Sequence, residues 1–297
     1  MKNKGPIFVL IAAVMWGGIG IFIKNLERLN VTPLNIVFMR CFFTAVILAV
    51  FLAFKDRSAF KISLKDIPLF AANGIFSVVM FTYCYYKTIE LSTLSVAAVL
   101  MYTAPIFVMI ISVIFFKEKL TLNKIIALLL SFVGCAFVSG IVGTAISVGT
   151  SAIIFGVLTG FGYSLYTIFG SRLILRGYGT LQIIFYTFLF ALIGAVVILF
   201  ATGDGSALHY PLEAWFWAFL MAILNTILPY LFYTLGLKNM DASKAPIIAT
   251  VEPVAATVLG LFYGEGLTAF GVIGIALVLS SVVIVNIGGK AGKDAVS

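Results

Sequence analysis

Charge is what this chain has least of. Only 10% of its residues are Asp, Glu, Lys or Arg, against roughly a quarter in a soluble globular domain. Histidine occurs once, at His209, and cysteine three times, at Cys41, Cys84 and Cys135. The cysteine spacing fits no metal pattern and three is an odd number, so they read as small core residues. No Ser-His-Asp set, zinc-ligand set or nucleotide loop is present. The glycine-rich tail from Gly288 to Lys293 lacks the G-x-x-x-x-G-K-[ST] frame of a phosphate loop. Hydrolytic chemistry and ATP-driven work are therefore not expected, and neither a metal nor a cofactor is called for. No stretch is polar and long enough to fold as a separate soluble domain.

What the chain has in excess is apolar length, with 62% hydrophobic residues. A helical membrane crossing needs about 20 consecutive apolar residues. Ten runs qualify: roughly 6–24, 33–54, 67–86, 94–116, 122–140, 151–171, 180–202, 213–236, 244–263 and 267–287. The expected fold class is an all-α polytopic membrane protein. The first run follows Lys2 and Lys4, as in a signal peptide, but it is longer than an ordinary signal core and no small-x-small cleavage site follows. It reads as an uncleaved first helix.

The net charge of +8 is unevenly spread. Fifteen Lys and Arg fall in or beside the two termini and segments 55–66, 117–121, 172–179 and 237–244; three, Lys24, Arg28 and Lys87, fall on the opposite side. The positive-inside rule then puts both termini in the cytoplasm, in a cell (inner, cytoplasmic) membrane. The basic balance reports orientation and attraction to the lipid surface. The short, aromatic-free cytoplasmic loops offer no stacking platform for nucleic acid. The expected partners are the lipid bilayer and a small-molecule substrate, with a second copy of the chain as a homodimer. Gly156-xxx-Gly160 and Gly260-xxx-Gly264 permit close helix contact, within one bundle more readily than between copies.

The chain repeats itself. Shifted by 148 residues, 88–105 lies on 236–253 without gaps: Ser95 meets Ser243, Ala97 meets Ala245 and Pro105 meets Pro253. One deletion later, Phe-Lys-Glu118 lies on Tyr-Gly-Glu265, and a shift of 147 lays Trp16 on Tyr163. Two units follow, 1–145 and 146–297, joined by the Gly/Ser/Thr-rich segment 140–151. Five spans per unit is an odd number, so the second unit enters the membrane from the other side. That is an inverted 5+5 repeat, the architecture of many secondary transporters, with the site near midplane between the halves.

Ten spans as five plus five, a proline in the fourth and ninth, Glu118 and Glu265 just after them, and Gly134 and Gly274 in the closing helices together resemble the drug/metabolite transporter superfamily, EamA type. The resemblance covers nearly the whole chain. It implies a metabolite exporter or facilitator, for amino acids, other small metabolites or drugs. It also implies that an acid before the ninth-span proline recurs whatever the substrate.

Glu252 is the one acid deep in a span, about 12 Å along its helix at 1.5 Å per residue. Its functional reading is a proton site or a counter-charge for a cationic group; its structural reading is an acid paired to a neighbour. Arg40 stands about 10 Å inward from Pro33. It can pair with Glu252 or grip a substrate carboxylate. Polar and aromatic stripes mark the expected cavity faces: Asn73, Ser77, Met80, Cys84 and Thr88; Met101, Tyr102, Pro105 and Met109; Tyr163, Tyr166 and Thr167; Asn225, Pro229, Phe232 and Tyr233. The expected substrate-binding set is Trp16, Arg40, Ser77, Tyr83, Met101, Tyr102, Tyr163, Tyr166, Asn225, Tyr233 and Glu252, with Glu252 also the coupling residue and Pro105 and Pro253 the helix breaks. Glu118 and Glu265 are expected to hold their own turns, since an acid suits a helix start. Lys87 and Glu90 are expected to be solvated.

The leading expectation is alternating-access export of a small metabolite. A wide aromatic site holding both charge signs suits a zwitterion, which makes amino acids the first guess. The alternatives are a proton-coupled exchanger of drug-like organic cations and, from another class, a non-transporting membrane scaffold or enzyme.

Overall fold

The structure is a computed structural model, describing residues 4–142, 148–204, 209–264 and 266–287. Glu265 and the tail 288–297 lie outside them, as do residues 143–147 of the 140–151 junction. Every regular element among the described residues is helical. Ten apolar stretches follow in order: α1 (Gly5–Arg28), α2 (Pro33–Lys55), α3 (Leu64–Leu91), α4 (Leu94–Phe115), α5 (Leu122–Val138), α6 (Thr150–Leu175), α7 (Thr180–Thr202), α8 (Leu212–Leu237), α9 (Ala245–Phe262) and α10 (Ala269–Ile287). Nine of these are long and apolar enough to cross a bilayer, and α5 is the shorter one. Its 17 residues make about 26 Å of helix, the lower end of what a crossing needs. Spans α1 and α3 run past the expected 24 and 86, because Glu27, Arg28, Lys87 and Glu90 ride on the last helical turns instead of in loops.

Five of the ten are not continuous α-helices, and the irregularities fall at matching places. α4 breaks between Leu94–Met101 and Ala104–Phe115, and α9 between Ala245–Ala249 and Val251–Phe262. Pro105 and Pro253 sit in the first turn of each resumed helix, where a missing N–H costs little. α3 carries a π-turn at Ile75–Met80 and α8 one at Ile223–Ile227, starting 148 residues apart like the sequence repeat. α1 breaks at Gly18, between Gly5–Gly17 and Ile19–Arg28. Its repeat-mate α6 is unbroken.

Packing follows the same exchange. α1 lies on α8 and α9, and α6 on α3 and α4; α2 meets α8 as α7 meets α3; α2 crosses α7 and α5 crosses α10. Each contact maps onto another, or onto itself, when the first five helices are swapped for the last five.

The α5–α10 crossing is made by the two repeat-equivalent glycines. A Cβ on Gly134 would lie 2.9 Å from the Gly274 carbonyl oxygen, and one on Gly274 2.7 Å from that of Gly134. Without lipid-exclusion forces between helices, such backbone-to-backbone approach supplies the dispersion contact that holds them. Gly134→Leu is expected to cost about 1–3 kcal/mol by overpacking, seen as a lower thermal midpoint in detergent. Gly20→Ala, at a position where a Cβ meets nothing within 4 Å, is the control and should not lower it. Equal midpoints for both variants would contradict this account of the crossing.

Candidate substrate site

The break in α9 leaves Glu252 as the second residue of a fresh helix. Glu252 thus lies in the first turn of the resumed helix. The Tyr163 hydroxyl is its side-chain hydrogen-bond donor. Tyr85, Tyr102 and Cys135 lie within electrostatic reach of it. These residues come from α3, α4, α5 and α6, so the carboxylate points inward from α9. Glu252, Tyr163, Tyr85, Tyr86 and Arg40 lie deep among the helices, yet each keeps part of its surface accessible. These partly accessible groups define the candidate site, called the vestibule below.

Beneath them the floor is aromatic and closed. Trp16, at the α1 break, packs on Tyr230 and Tyr233 with ring centroids 5.3 Å apart in each case, and edge-on to Tyr163 at 6.5 Å. Tyr166 meets Tyr230 at 4.7 Å. The hydroxyls of the floor are satisfied between α6 and α8: Tyr166 with Thr234 at 2.8 Å and Tyr233 with Thr167 at 2.7 Å. These two tyrosines thus act as rigid walls, their polar ends already used.

Arg40 and Glu252 do not form the ion pair their depths allow. Among the described residues Glu252 is held by Tyr163. The Arg40 guanidinium lies over the Phe188 ring at 5.7 Å and is hydrogen-bonded by the Tyr230 hydroxyl. Tyr230 is within electrostatic reach of both.

Other expected residues divide. Met101 and Tyr102 are buried in a cluster with Val251, Val254 and Cys135, against the Glu252 side of the site. Ser77 is spent within α3, donating to the Asn73 carbonyl and to its side-chain oxygen. Asn225 donates from Nδ2 to the Met15 carbonyl at 2.7 Å. That carbonyl lies at the α1 break, so Asn225 supports the site's geometry from behind.

Tyr83 is a correction: it is 51% exposed and set against Phe155. Tyr85, two residues on, lies about 200° around the helix, and it is Tyr85 that reaches Glu252. Tyr85, Tyr86, Phe188 and Tyr230 were missed in the sequence. For Tyr230 the cause is the π-turn, which inserts a residue and rotates the face after Asn225. The stripe expected at 225, 229, 232 and 233 keeps Tyr233 and gains Tyr230. Cys41, Cys84 and Cys135 are all buried and free, as core residues should be.

Glu118 does more than expected. It holds its own turn through Lys124, at the start of α5, and it also serves the other half of the chain. Its carboxylate accepts from the Ala242 amide at 2.7 Å, and from the amide and hydroxyl of Ser243, at the entry to α9. Lys124 joins it at 3.0 Å and reaches Asp241 at 3.2 Å, with only 4% of the lysine side chain exposed. The first turns of α9, residues 245–251, are wholly buried beside this clasp, so the vestibule is shut at this end. Lys87 and Glu90 pair with each other at 2.8 Å on the exposed surface at the far end.

Two further grooves, of about 520 and 580 Å³, lie on the flanks. They are lined by Phe43, Trp215 and Phe219, and by Val46, Phe51 and Phe54. Their apolar linings suit lipid tails and no polar solute.

A multi-pass helical bundle with a charged, aromatic vestibule between two like halves is the design of a membrane transporter. The chain belongs to the EamA-like transporter family, whose sequence profile matches residues 3–140 and again 150–287. It is 26% identical over 288 residues to an uncharacterized transporter of Archaeoglobus fulgidus, covering 94% of this chain and 95% of the relative. It is 27% identical over 293 residues to the uncharacterized inner membrane transporter YicL of Salmonella typhimurium, covering 96% of each. It is 26% identical over 300 residues to the uncharacterized transporter YxxF of Bacillus subtilis, covering 99% of this chain and 94% of that one. A solved crystal structure superposes with a TM-score of 0.79 over 97% of this chain and 98% of its own, at 14% identity, a likeness of fold alone.

The clasp gives a stability prediction. Glu118→Ala leaves the buried Lys124 ammonium with Asp241 alone and strands the Ser243 hydroxyl, and should cost about 1–3 kcal/mol. Replacing both Glu118 and Lys124 by Met should recover much of the loss, since no charge is then left unpaired. Chemical unfolding of the single and double variants in detergent measures both. A double variant no better than Glu118→Ala would count against the clasp.

Proposed function

We propose that this chain is a secondary transporter of a small metabolite, with amino acids the leading class. It works by alternating access of the units 1–145 and 146–297 around the Glu252 vestibule, without a cofactor. The halves are read as an inverted repeat in the cytoplasmic membrane. Exchange-symmetric packing supports the repeat, five crossings per half support the inversion, and the Lys/Arg asymmetry supports cytoplasmic termini. On that orientation the clasp end is cytoplasmic and the vestibule opens outward, the state in which an exporter releases its cargo.

The observation that carries the proposal is the Glu252 carboxylate itself. An acid at the depth of the hydrocarbon costs about 3 kcal/mol or more. Here a tyrosine hydroxyl is its side-chain hydrogen-bond partner, in a vestibule that a solute can enter. A group so placed is free to take a proton or a substrate ammonium. The second reading, exchange of organic cations for protons, is favoured by the same carboxylate and by the aromatic rings around it.

Purified protein in liposomes is loaded for counterflow with radiolabelled amino acids, nucleosides and quaternary amines, with and without a pH gradient. Amino-acid counterflow is expected, and Glu252→Gln should lower it roughly ten- to a hundredfold, the worth of one charged hydrogen bond. Counterflow of quaternary amines alone would favour the second reading. Unchanged transport and unchanged pH response in Glu252→Gln would remove the carboxylate from the mechanism.

A further inference from the structure

Arg40 is a cation set deep among the spans with no carboxylate to pair with. The Nε atom is buried and has no partner. One face of the guanidinium rests on Phe188, and its hydrogen-bonding neighbour is the neutral Tyr230 hydroxyl. One turn further along α2, the Thr44 hydroxyl is also buried without a partner. Residues four apart share a helix face, so two unsatisfied donors stand together on one face of α2, Thr44 wholly within the packing.

A buried guanidinium in this state is costly, because five N–H donors lose water and few gain a partner. Stacking on Phe188 and one tyrosine offset part of that cost. The planar fork that remains matches a carboxylate or phosphate edge-on. The two differ in charge, and Glu252 decides between them. Tyr230 is within electrostatic reach of both residues, so a dianion placed at Arg40 adds charge of the same sign as Glu252 to a site of low dielectric. A singly charged carboxylate adds less, above all when the same molecule carries a positive group toward Glu252.

We propose that Arg40 is the carboxylate-recognising residue of the transport site, so that the substrates of this protein carry a carboxylate. The inference rests on the transporter reading above and sharpens it. Glu252 alone accommodates amines and organic cations; Arg40 discriminates against any that lack an acid group. A site built around a buried donor rejects the analogue that leaves the donor unpaired.

The test uses full-length protein in liposomes and matched triplets: an amino acid, its methyl ester and its decarboxylated amine, over the same side chains. Wild type is expected to favour the carboxylate member of each triplet roughly tenfold or more. Arg40→Gln should abolish that preference, and Arg40→Lys should keep part of it. The ratio within a triplet does not depend on how much protein is folded, so a merely structural role for Arg40, as a stacking partner of Phe188, would lower all three members alike. Wild type carrying esters and amines as well as acids, or Arg40→Gln retaining the preference, overturns the assignment while leaving transport standing. Transport of no member of any triplet overturns both this assignment and the reading it rests on.

Discussion

Inside a bilayer every backbone N–H and C=O must find a partner within the protein, because no water is there to supply one. The irregular places in this bundle are organised by that constraint. Helices α1, α4 and α9 each break near mid-depth, and α3 and α8 each widen by a π-turn. The α1 break is tolerated because Asn225 donates to the Met15 carbonyl there. Asn225 can reach it because the π-turn at Ile223–Ile227 swings it toward α1. The α4 and α9 breaks place prolines where a helix restarts and lacks donors anyway. Unwound backbone, helix N-termini and side chains of the vestibule are thus one feature seen three ways.

The two halves share a scaffold and differ in chemistry. Gly134 and Gly274, Pro105 and Pro253, and the paired π-turns recur in both. The acid occurs once: Glu252 has Ala104 as its counterpart. The α1 break occurs once, with Gly17-Gly18 answering to Ser164-Leu165, and Asn225 answers to Ser77. The three asymmetric features converge. A Cβ on Gly17 would lie 2.8 Å from the Glu252 carbonyl oxygen and 2.7 Å from Ala255 Cβ, so the missing side chain at Gly17 lets α1 settle against α9 beside the acid. Symmetry suits a device that must present the same site to two sides of a membrane.

Much of this was legible in the residues. Apolar length gave the spans, self-similarity gave the pairing of halves, and the cost of an acid among apolar residues singled out Glu252. Trp16, Tyr163 and Arg40 followed from depth alone. Other parts depend on geometry that no spacing rule carries. A π-turn is nearly invisible in a sequence of Ile, Leu and Val, and it added Tyr230 to the α8 face. Three neighbouring tyrosines at Tyr83, Tyr85 and Tyr86 look equivalent until the helix is oriented. The Glu118 clasp also joins residues more than a hundred positions apart, so a local helix-start rule found its Lys124 end and missed the other. Arg40 and Glu252 looked like a pair because their depths match; their partners differ, Phe188 and Tyr230 for Arg40 and Tyr163 for Glu252.

The central claim is that solute binds in the vestibule over Trp16, held by Glu252. Trp16, Trp215 and Trp217 are the chain's three tryptophans. A variant with Trp215→Phe and Trp217→Phe leaves Trp16 as the single reporter, in the aromatic floor of the site. Its fluorescence should change saturably with any solute the protein transports, and the response should vanish when Glu252→Gln is added. A transported solute that leaves Trp16 emission unchanged at saturating concentration would contradict the account and put the site elsewhere in the bundle.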